Sequence, residues 1–404
     1  MQGDAQSHLP VGCRVSYRTT RARCMVLWLA ASSAAFALPL RSVASGAKTG
    51  SSADVRVSND KRNNPPLLVF ACDGSTRDLE QLFSQPGVLS GLQQLHAGVA
   101  LALADLSAER AGLVQKLNQA DVPVTAGLTL PPQQGYYLNA SNAREAEARF
   151  RDFESWTKKY GLRWAAVGLD IEPRIQDFDM VRNGSKWHLA HVLLARYFAP
   201  GRVRRARDAY AALIGQMQAR GYTVETYQFP FIADERKVHS TLLERLAGIV
   251  DVRSNLEALM VYTSFRPALD SALIWEYGPE AQAIVIGITV GPENNPHFAP
   301  LHWDAFSRDL LVAHHFPNVI GVFNLEGCVR QGFLERLKTL DWGQSVDISA
   351  DAVGQAQVLR SRIQRAIWIG AYLPYLTVAL LLAAILAVWL VRRKTHNRKL
   401  PGRF

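Results

Sequence analysis

The 404-residue chain is poor in cysteine and has no pattern of metal ligands. It has four cysteines, and Cys13 and Cys24 lie near the N-terminus, so only Cys72 and Cys328 remain for the rest of the chain. Two cysteines cannot form a disulfide scaffold, and a body of this size can be stabilised by burying a core. No spacing of His, Cys and Asp is typical of a zinc site. The sequence therefore predicts neither a bound metal nor any other cofactor.

Nucleic-acid binding is not expected either, although the formal net charge is +10. The excess of Lys and Arg lies in residues 1–49 and 392–404, and residues 50–391 carry a net charge of −1. A neutral body has no surface that would follow a phosphate backbone. A glycine-rich dinucleotide fingerprint is also missing, since the first apolar run ends in Ala71-Cys72-Asp73-Gly74.

A long uncharged run near the C-terminus predicts a membrane anchor. Residues 368–391 contain no charged side chain, and 24 helical residues reach about 36 Å, enough to cross a hydrocarbon core of about 30 Å. Five Lys or Arg residues follow within residues 392–399. By the positive-inside rule, this pattern predicts a stalk over 341–366, a transmembrane helix over 367–391 and a basic cytoplasmic tail over 392–404.

The N-terminal segment is typical of export. Four arginines precede an apolar run over 25–40, and small residues follow that run. This order predicts a signal peptide or an uncleaved anchor over 1–45, then a flexible linker over 46–65 that is rich in Ser, Asn, Lys and Gly. Both ends place the body on the extracytoplasmic side of the cell membrane, with a single C-terminal span.

The body alternates short apolar runs with amphipathic helical patterns. The runs are mostly continuous, as in strands that are buried on both faces. Eight such units in about 275 residues predict an α/β fold, a TIM (β/α)8 barrel over 66–340; an open doubly wound sheet is the alternative. The predicted strands are residues 67–72, 99–106, 122–130, 164–171, 223–229, 258–262, 283–290 and 319–325.

Polar side chains cluster where the predicted strands end, which is where TIM barrels place their chemistry. The set is acidic and aromatic and has no arginine clamp for phosphate, so it favours neutral sugars over nucleotides. The predicted substrate-binding residues are Asp73, Asp105, Tyr227, Gln228, Glu293, Asn324 and Glu326.

The fourth predicted strand has the sharpest pattern, Gly-Leu-Asp-Ile-Glu-Pro over 168–173. Asp170 and Glu172 are two residues apart, so both side chains should project into the barrel mouth. Repulsion and partial burial should keep one carboxyl protonated while the other is ionised, as general acid catalysis of glycosidic cleavage requires. The alternative is structural: the two acids could cap helices or pair with Arg174 and Arg182.

Three motifs together resemble chitinase-like (family 18) glycoside hydrolases. They are the fourth-strand motif, Leu-Met-Val-Tyr over 259–262 on the sixth strand and Gly-Val-Phe-Asn over 321–324 on the eighth. The resemblance implies that Glu172 is the catalytic acid, that Asp170 orients a substrate acetamide, and that Tyr262 donates a hydrogen bond to that acetamide. The implied substrate is a polysaccharide or glycan.

The chain also departs from the pattern of that family. Gly168 and Leu169 stand where the family has further aspartates, Thr263 replaces an acid, and the eighth strand has no Trp. An ordinary two-carboxylate enzyme with Glu172 paired to Glu293 or Glu326 therefore stays open. So do a non-catalytic carbohydrate-binding or assembly protein on the same barrel and a barrel hydrolase that acts on something other than sugar.

Three further features of the sequence each have two possible interpretations. Trp187, Trp275 and Trp303 could stack on sugars or pack in the core. The arginine-rich segment 202–207 is a solvated helix face or, alternatively, a membrane-surface contact. Cys72 and Cys328 would approach each other if the first and eighth strands are neighbours, so they either form a disulfide or remain buried free thiols.

Overall fold

The computed structural model describes residues 54–59, 64–291 and 299–397. The predicted signal or anchor over 1–45, the end of the basic tail and Glu293 lie outside the described residues.

Eight parallel strands form a closed barrel, which confirms the predicted TIM fold. Each strand pairs with its neighbours in chain order, and the first barrel strand closes the barrel against the last, from Leu67 opposite Val319 to Ala71 opposite Phe323. Each of the eight predicted runs overlaps one barrel strand. The strands are β2 (Leu67–Cys72), β3 (Gly98–Leu103), β4 (Val124–Leu128), β5 (Ala166–Asp170), β6 (Val224–Gln228), β7 (Leu256–Met260), β8 (Ala283–Gly287) and β9 (Val319–Phe323).

Helices follow each barrel strand and cover the outside of the barrel. After β2, β5 and β6 the chain forms more than one helix before the next barrel strand. The helices are α1 (Thr76–Ser84), α2 (Val88–Gln94), α3 (Ala108–Gln119), α4 (Ala143–Tyr160), α5 (Ile175–Asn183), α6 (Lys186–Tyr197), α7 (Pro200–Ala219), α8 (Phe231–Lys237), α9 (Leu242–Ala247), α10 (Ala272–Tyr277), α11 (Trp303–His314), α12 (Leu325–Arg330) and α13 (Phe333–Leu337).

The core lies between the strands and these helices. In α4, Phe150, Phe153 and Trp156 form an apolar stripe, and all three are buried. Ser107 begins α3 by accepting a hydrogen bond from the backbone N–H of Arg110 at 3.1 Å, which satisfies one of the free donors at a helix N-terminus. Outward-facing strand residues and inward-facing helix stripes thus form one continuous apolar layer.

A two-stranded ribbon joins the segments before and after the barrel. Strand β1 (Val55–Val57) pairs antiparallel with β10 (Val346–Ile348). Composition predicts a flexible linker over 46–65, but the alternation of Val55 and Val57 with a charged residue suits a strand with one buried face, and Val57 is fully buried. Asn59 extends this attachment by donating from Nδ2 to the carbonyl of Leu311 at 2.9 Å.

The long final helix, α14 (Ala350–Asn397), begins on the barrel and then leaves it. Its first part packs against α8, α9 and α10, so the predicted stalk is a docked helix preceded by the ribbon. Its later part is apolar and exposed, with a mean hydropathy of 2.4 in the most apolar window. Among the described residues, Ala350–Val391 is long and apolar enough to cross a membrane.

Candidate active site

A cavity opens at the carboxyl ends of the barrel strands, where TIM barrels carry their active sites. Its empty volume is about 720 Å³ including the open mouth. Small side chains on β2, β3 and β4 leave the space: Ala71, Ala100, Ala102 and Gly127. The opposite wall, on β5 to β9, contains carboxylates and aromatic rings, including Asp170, Glu172, Tyr227, Tyr262 and Phe323.

Asp170 and Glu172 both line this cavity, as the alternation along β5 predicts. The backbone stays extended past the end of β5 because Leu138 bonds to it on both sides: its N–H donates to the carbonyl of Asp170, and its carbonyl accepts from the N–H of Glu172, each at 3.0 Å. Glu172 is only 7% exposed. The strand therefore holds two carboxylates on one wall, with Glu172 largely withdrawn from water.

Tyr227 stands on β6, beside Asp170 in the strand register. Its hydroxyl donates to Oε2 of Glu225 at 2.8 Å, two residues earlier on the same inner face. Burial, the Glu225 carboxylate and Asp170 raise the pKa of Tyr227, and burial also raises the pKa of Glu225. The Tyr227 hydroxyl is thus bonded to another side chain of the protein, and the Tyr227 ring forms part of the cavity wall.

Tyr262 follows β7 and belongs to an aromatic wall. Its ring lies 5.8 Å from that of Phe265 and 5.9 Å from that of Phe323, between centroids. The loop after Tyr262 is held from outside the barrel by Asp309 of α11, whose carboxylate accepts hydrogen bonds from the hydroxyls of Thr263 and Ser271. Burial raises the pKa of Asp309 to about 7. Thr263 stands where the resembled family has an acid. Here its hydroxyl donates a hydrogen bond to the buried acid Asp309.

Asp73, Asn324 and Glu326 meet at the seam between β2 and β9. Oε1 of Glu326 accepts from the backbone N–H of Asp73 at 3.3 Å and of Gly74 at 3.2 Å, and Nδ2 of Asn324 donates to Oδ1 of Asp73 at 3.4 Å. Burial and the nearby Asp73 carboxylate raise the pKa of Glu326. None of the three is among the cavity-lining residues. They join the first and last strand-end loops of the barrel.

Two predicted site residues have structural contacts away from the cavity. Gln228 follows Tyr227, so the alternation of β6 turns it to the outer face, where Nε2 donates to the carbonyl of Val250 at 3.1 Å. Asp105 accepts from the Ser107 hydroxyl at 2.5 Å and pairs with Arg110 at 3.3 Å. Burial acts to raise the pKa of Asp105, but these partners lower it overall.

The two body cysteines are free thiols and both are buried. The expected neighbourhood of β2 and β9 is present, but the possible disulfide is not. Cys72 is the last residue of β2, whereas Cys328 lies on α12 and its Sγ contacts the Thr289 hydroxyl at 3.8 Å. Burial raises the pKa of both thiols, so neither is a ready nucleophile.

Three residues in or beside the cavity were not predicted from the sequence: Glu225, which bonds to the cavity-lining Tyr227, and the lining residues Tyr137 and Phe265. Glu225 sits in the middle of an apolar run, and only the alternation of β6 places it on the same face as Tyr227. Tyr137 enters the cavity from the loop after β4, and Phe265 from the short helix after β7. Aromatic residues just past strand ends were the available signal for both. In the described part of the chain, no three His, Cys, Asp or Glu side chains are placed to hold a metal ion.

No protein-family model matches the chain, and no curated protein matches it. Solved structures with a similar fold include the PgaB (BpsB) glycoside hydrolase domain from Bordetella bronchiseptica, at 11% identity and a TM-score of 0.41, which covers 69% of this chain and 99% of that one. A family 1 β-glucosidase from Thermotoga maritima has 10% identity and a TM-score of 0.37, covering 65% and 88%. An L-ribulose 3-epimerase has 12% identity and a TM-score of 0.36, covering 84% and 100%. At these identities the similarity is one of barrel fold.

Proposed function

We propose that the protein is a membrane-anchored glycoside hydrolase that cleaves an extracytoplasmic polysaccharide or glycan, with Glu172 as the general acid. The observation that carries this proposal is the convergence of Asp170, Glu172 and Tyr262 on one cavity at the catalytic end of the barrel. The cavity is open to solvent on one side and lined by aromatic rings. This suits a sugar that stacks its apolar face on a ring and keeps its polar edge free for hydrogen bonds.

The chemistry follows from the positions of the two carboxyl groups. Glu172, in the drier position, protonates the leaving glycosidic oxygen. Asp170, on the same strand face, stabilises the positive charge that develops at the sugar, or holds the substrate acetamide as the family resemblance implies. Glu172 then takes a proton from the attacking water. Tyr262, on the same wall and two strands away, donates a hydrogen bond to the substrate in this scheme.

The positions of the carboxylates that the structure describes favour Asp170 over Glu326 as the partner of Glu172. Oε1 of Glu326 already accepts two backbone N–H groups, and the side chain lies outside the cavity lining. Asp170 is the carboxylate that shares the cavity with Glu172 among the residues described. This supports the mechanism in which the substrate acetamide takes part over a pairing of Glu172 with Glu326.

The membrane part of the proposal rests on α14. Its apolar portion is exposed along its length, and Lys and Arg residues follow Val391. A span there, with the basic end inside, places the barrel and its cavity on the extracytoplasmic side.

Glu172→Gln in the full-length protein tests the proposal. Removing the proton donor should lower kcat on a cleaved glycan by about two to four decades, while glycan binding and thermal unfolding stay near wild type. Initial rates on a glycan panel, with and without N-acetyl groups, measure this loss.

Two matched variants accompany that test. Glu147→Gln, on the exposed face of α4, should leave kcat unchanged. Glu326→Gln separates the mechanisms, because a loss equal to that of Glu172→Gln would favour the two-carboxylate pair. A fully active Glu172→Gln variant would end the hypothesis. Glycan binding without cleavage by the wild type would instead favour a carbohydrate-binding protein.

A further inference from the structure

Helix α6 exposes an apolar stripe on the outside of the protein. Trp187, Leu194 and Phe198 are 88%, 58% and 68% exposed. Their spacing of seven and four residues places them on one helix face, and the other exposed residues of that face are Ala190, His191 and Ala195. Large exposed apolar side chains that form a contiguous patch mark an interaction surface.

The less exposed face of α6 carries Leu189, Val192 and Leu193 together with one charged residue, Arg196. Arg196 is 6% exposed, and its Nη2 pairs with both carboxylate oxygens of Asp177 on α5, at 2.8 and 2.9 Å, while Nη1 donates to the carbonyl of Leu246 at 3.0 Å. Apolar side chains thus lie on both faces of α6, whereas the outer face of a water-facing helix is mostly polar. This orientation is fixed by a buried ion pair, so the apolar stripe cannot simply turn into the protein.

The stripe lies beside the proposed membrane span. The hydroxyl of Tyr197, the last residue of α6, donates to the carbonyl of Gly370 at 2.6 Å. Gly370 is the third residue of the uncharged run, so at 1.5 Å per residue it lies about 3 Å from the start of that run. Arg245 fixes Tyr197 by donating to its carbonyl at 2.5 Å and stacking on its ring at 5.1 Å. Phe198, whose ring is 4.9 Å from that of Tyr197, therefore sits where such a helix enters a bilayer.

We propose that α6 lies in the outer headgroup region of the same membrane, as a second lipid contact of the barrel. Trp187, Leu194 and Phe198 enter the boundary between headgroups and acyl chains, as in interfacial amphipathic helices. Arg204 and Arg205, exposed on α7 and following Phe198 in the chain, supply positive charge for lipid phosphates. The inference rests on the proposed membrane anchoring. Because α5 and α6 follow directly after Glu172 and Pro173, this contact holds the catalytic mouth at the membrane surface.

Environment-sensitive labels in the full-length protein, reconstituted in phosphatidylcholine/phosphatidylglycerol vesicles, test the inference. A fluorescent label is attached to Leu194→Cys, with Gln119→Cys on α3 as the matched exposed control and Leu382→Cys as the reporter of the span. Cys13 and Cys24 are replaced by serine, and the buried Cys72 and Cys328 are retained. Quenching is measured with aqueous iodide and with lipid carrying a nitroxide near the headgroup or deep in the acyl chain.

The label at 194 should be quenched several-fold more by the shallow nitroxide lipid than the label at 119, and several-fold less by iodide. Iodide quenching at 194 equal to that at 119, with lipid quenching at 382, would overturn the inference and leave the anchor in place. Protection of 194 from both quenchers would also overturn it, because a protein would then cover the stripe. No lipid quenching at 382 would refute the anchoring itself, and the α6 inference with it.

Discussion

Gly168 has no side chain, and this determines which neighbouring side chain fills the adjacent space inside the barrel. It lies on the inner face of β5, two residues before Asp170, where the resembled glycoside hydrolases continue their acidic run. A Cβ at this position would lie 2.8 Å from Cε2 of Tyr227 and 3.4 Å from Cγ2 of Thr125. The space that a side chain would fill is occupied by the Tyr227 ring, whose hydroxyl is bonded to Glu225. A tyrosine from the neighbouring strand therefore occupies the space where the resembled enzymes carry a further acid, and it is bonded to a glutamate of its own strand.

Tyr262→Phe tests whether the substrate acetamide takes part in the reaction. The variant keeps the ring that packs on Phe265 and Phe323 but removes the hydroxyl donor. A loss of about ten- to a hundredfold in kcat on N-acetylated glycans is expected, from about 1.5 to 3 kcal/mol for a hydrogen bond to a charged group. Rates on matched acetylated and de-acetylated substrates check it. An equal loss on both would assign Tyr262 to ordinary positioning.

At the scale of elements, the docking of α14 depends on one buried cluster. Arg360 pairs with Asp234 of α8 at 2.9 Å and with Glu280 at 2.8 Å, and it stacks on the Tyr277 ring at 4.1 Å. Asp234 is fully buried and also accepts from Gln364 at 2.9 Å. The final helix is thus attached to the barrel before it reaches the apolar segment, which continues the same helix.

Arg360→Ala should destabilise the full-length protein by about 3 to 5 kcal/mol, because it leaves the buried Asp234 without its counter-charge. Thermal or urea unfolding in detergent measures this effect. The control is Arg151→Ala, which breaks the exposed pair with Glu147 at 2.7 Å and should cost under about 0.5 kcal/mol. Equal effects of the two substitutions would mean that the α14 contact contributes little to stability.

Over the whole molecule, several buried acids are more easily protonated than in water. Burial raises the pKa of Glu235 to about 8 and of Asp309 to about 7. Such a group binds a proton in the native state at pH values where the unfolded chain has lost it. Its contribution to stability is therefore present at low pH and declines as pH rises from the unfolded pKa of about 4 to the folded pKa.

Asp309→Asn should remove one part of this pH dependence. Wild-type stability should fall by up to a few kcal/mol more between about pH 4.5 and 8 than that of the variant, with the difference developing below about pH 7. Unfolding midpoints across this pH range, compared between the two proteins, measure it. Parallel profiles would show that Asp309 does not titrate in the native protein between these limits.

The topology of the full chain gives a separate prediction. If the basic residues after Val391 face the cytoplasm, green fluorescent protein fused after Phe404 should fluoresce in a bacterial host, and alkaline phosphatase fused there should be inactive. A cysteine at position 119 should react with an impermeant maleimide from the outside. Active phosphatase at the C-terminus would reverse the proposed orientation.

Local patterns in the sequence were enough to predict the barrel. Eight continuous apolar runs separated by amphipathic stripes match β2 to β9, and the alternation along β5 placed Asp170 and Glu172 on one inner face. The apolar length of 368–391 likewise determined a helix long enough to span a membrane. These properties depend on residue periodicity and composition within one element. They can therefore be predicted from residues that are close together in the sequence.

Only the tertiary structure decided which strand-end residues share the cavity. Gln228 turns outward by one step of alternation, Asp105 is held by Ser107 and Arg110, and Glu326 is bound by the backbone of another loop. The ribbon of β1 with β10 and the docking of Arg360 join segments that lie far apart in the chain, so composition alone read them as linker and stalk. Contacts between distant segments determine whether a side chain at a strand end faces solvent, the cavity or a neighbouring loop. Those contacts form only once the barrel has closed.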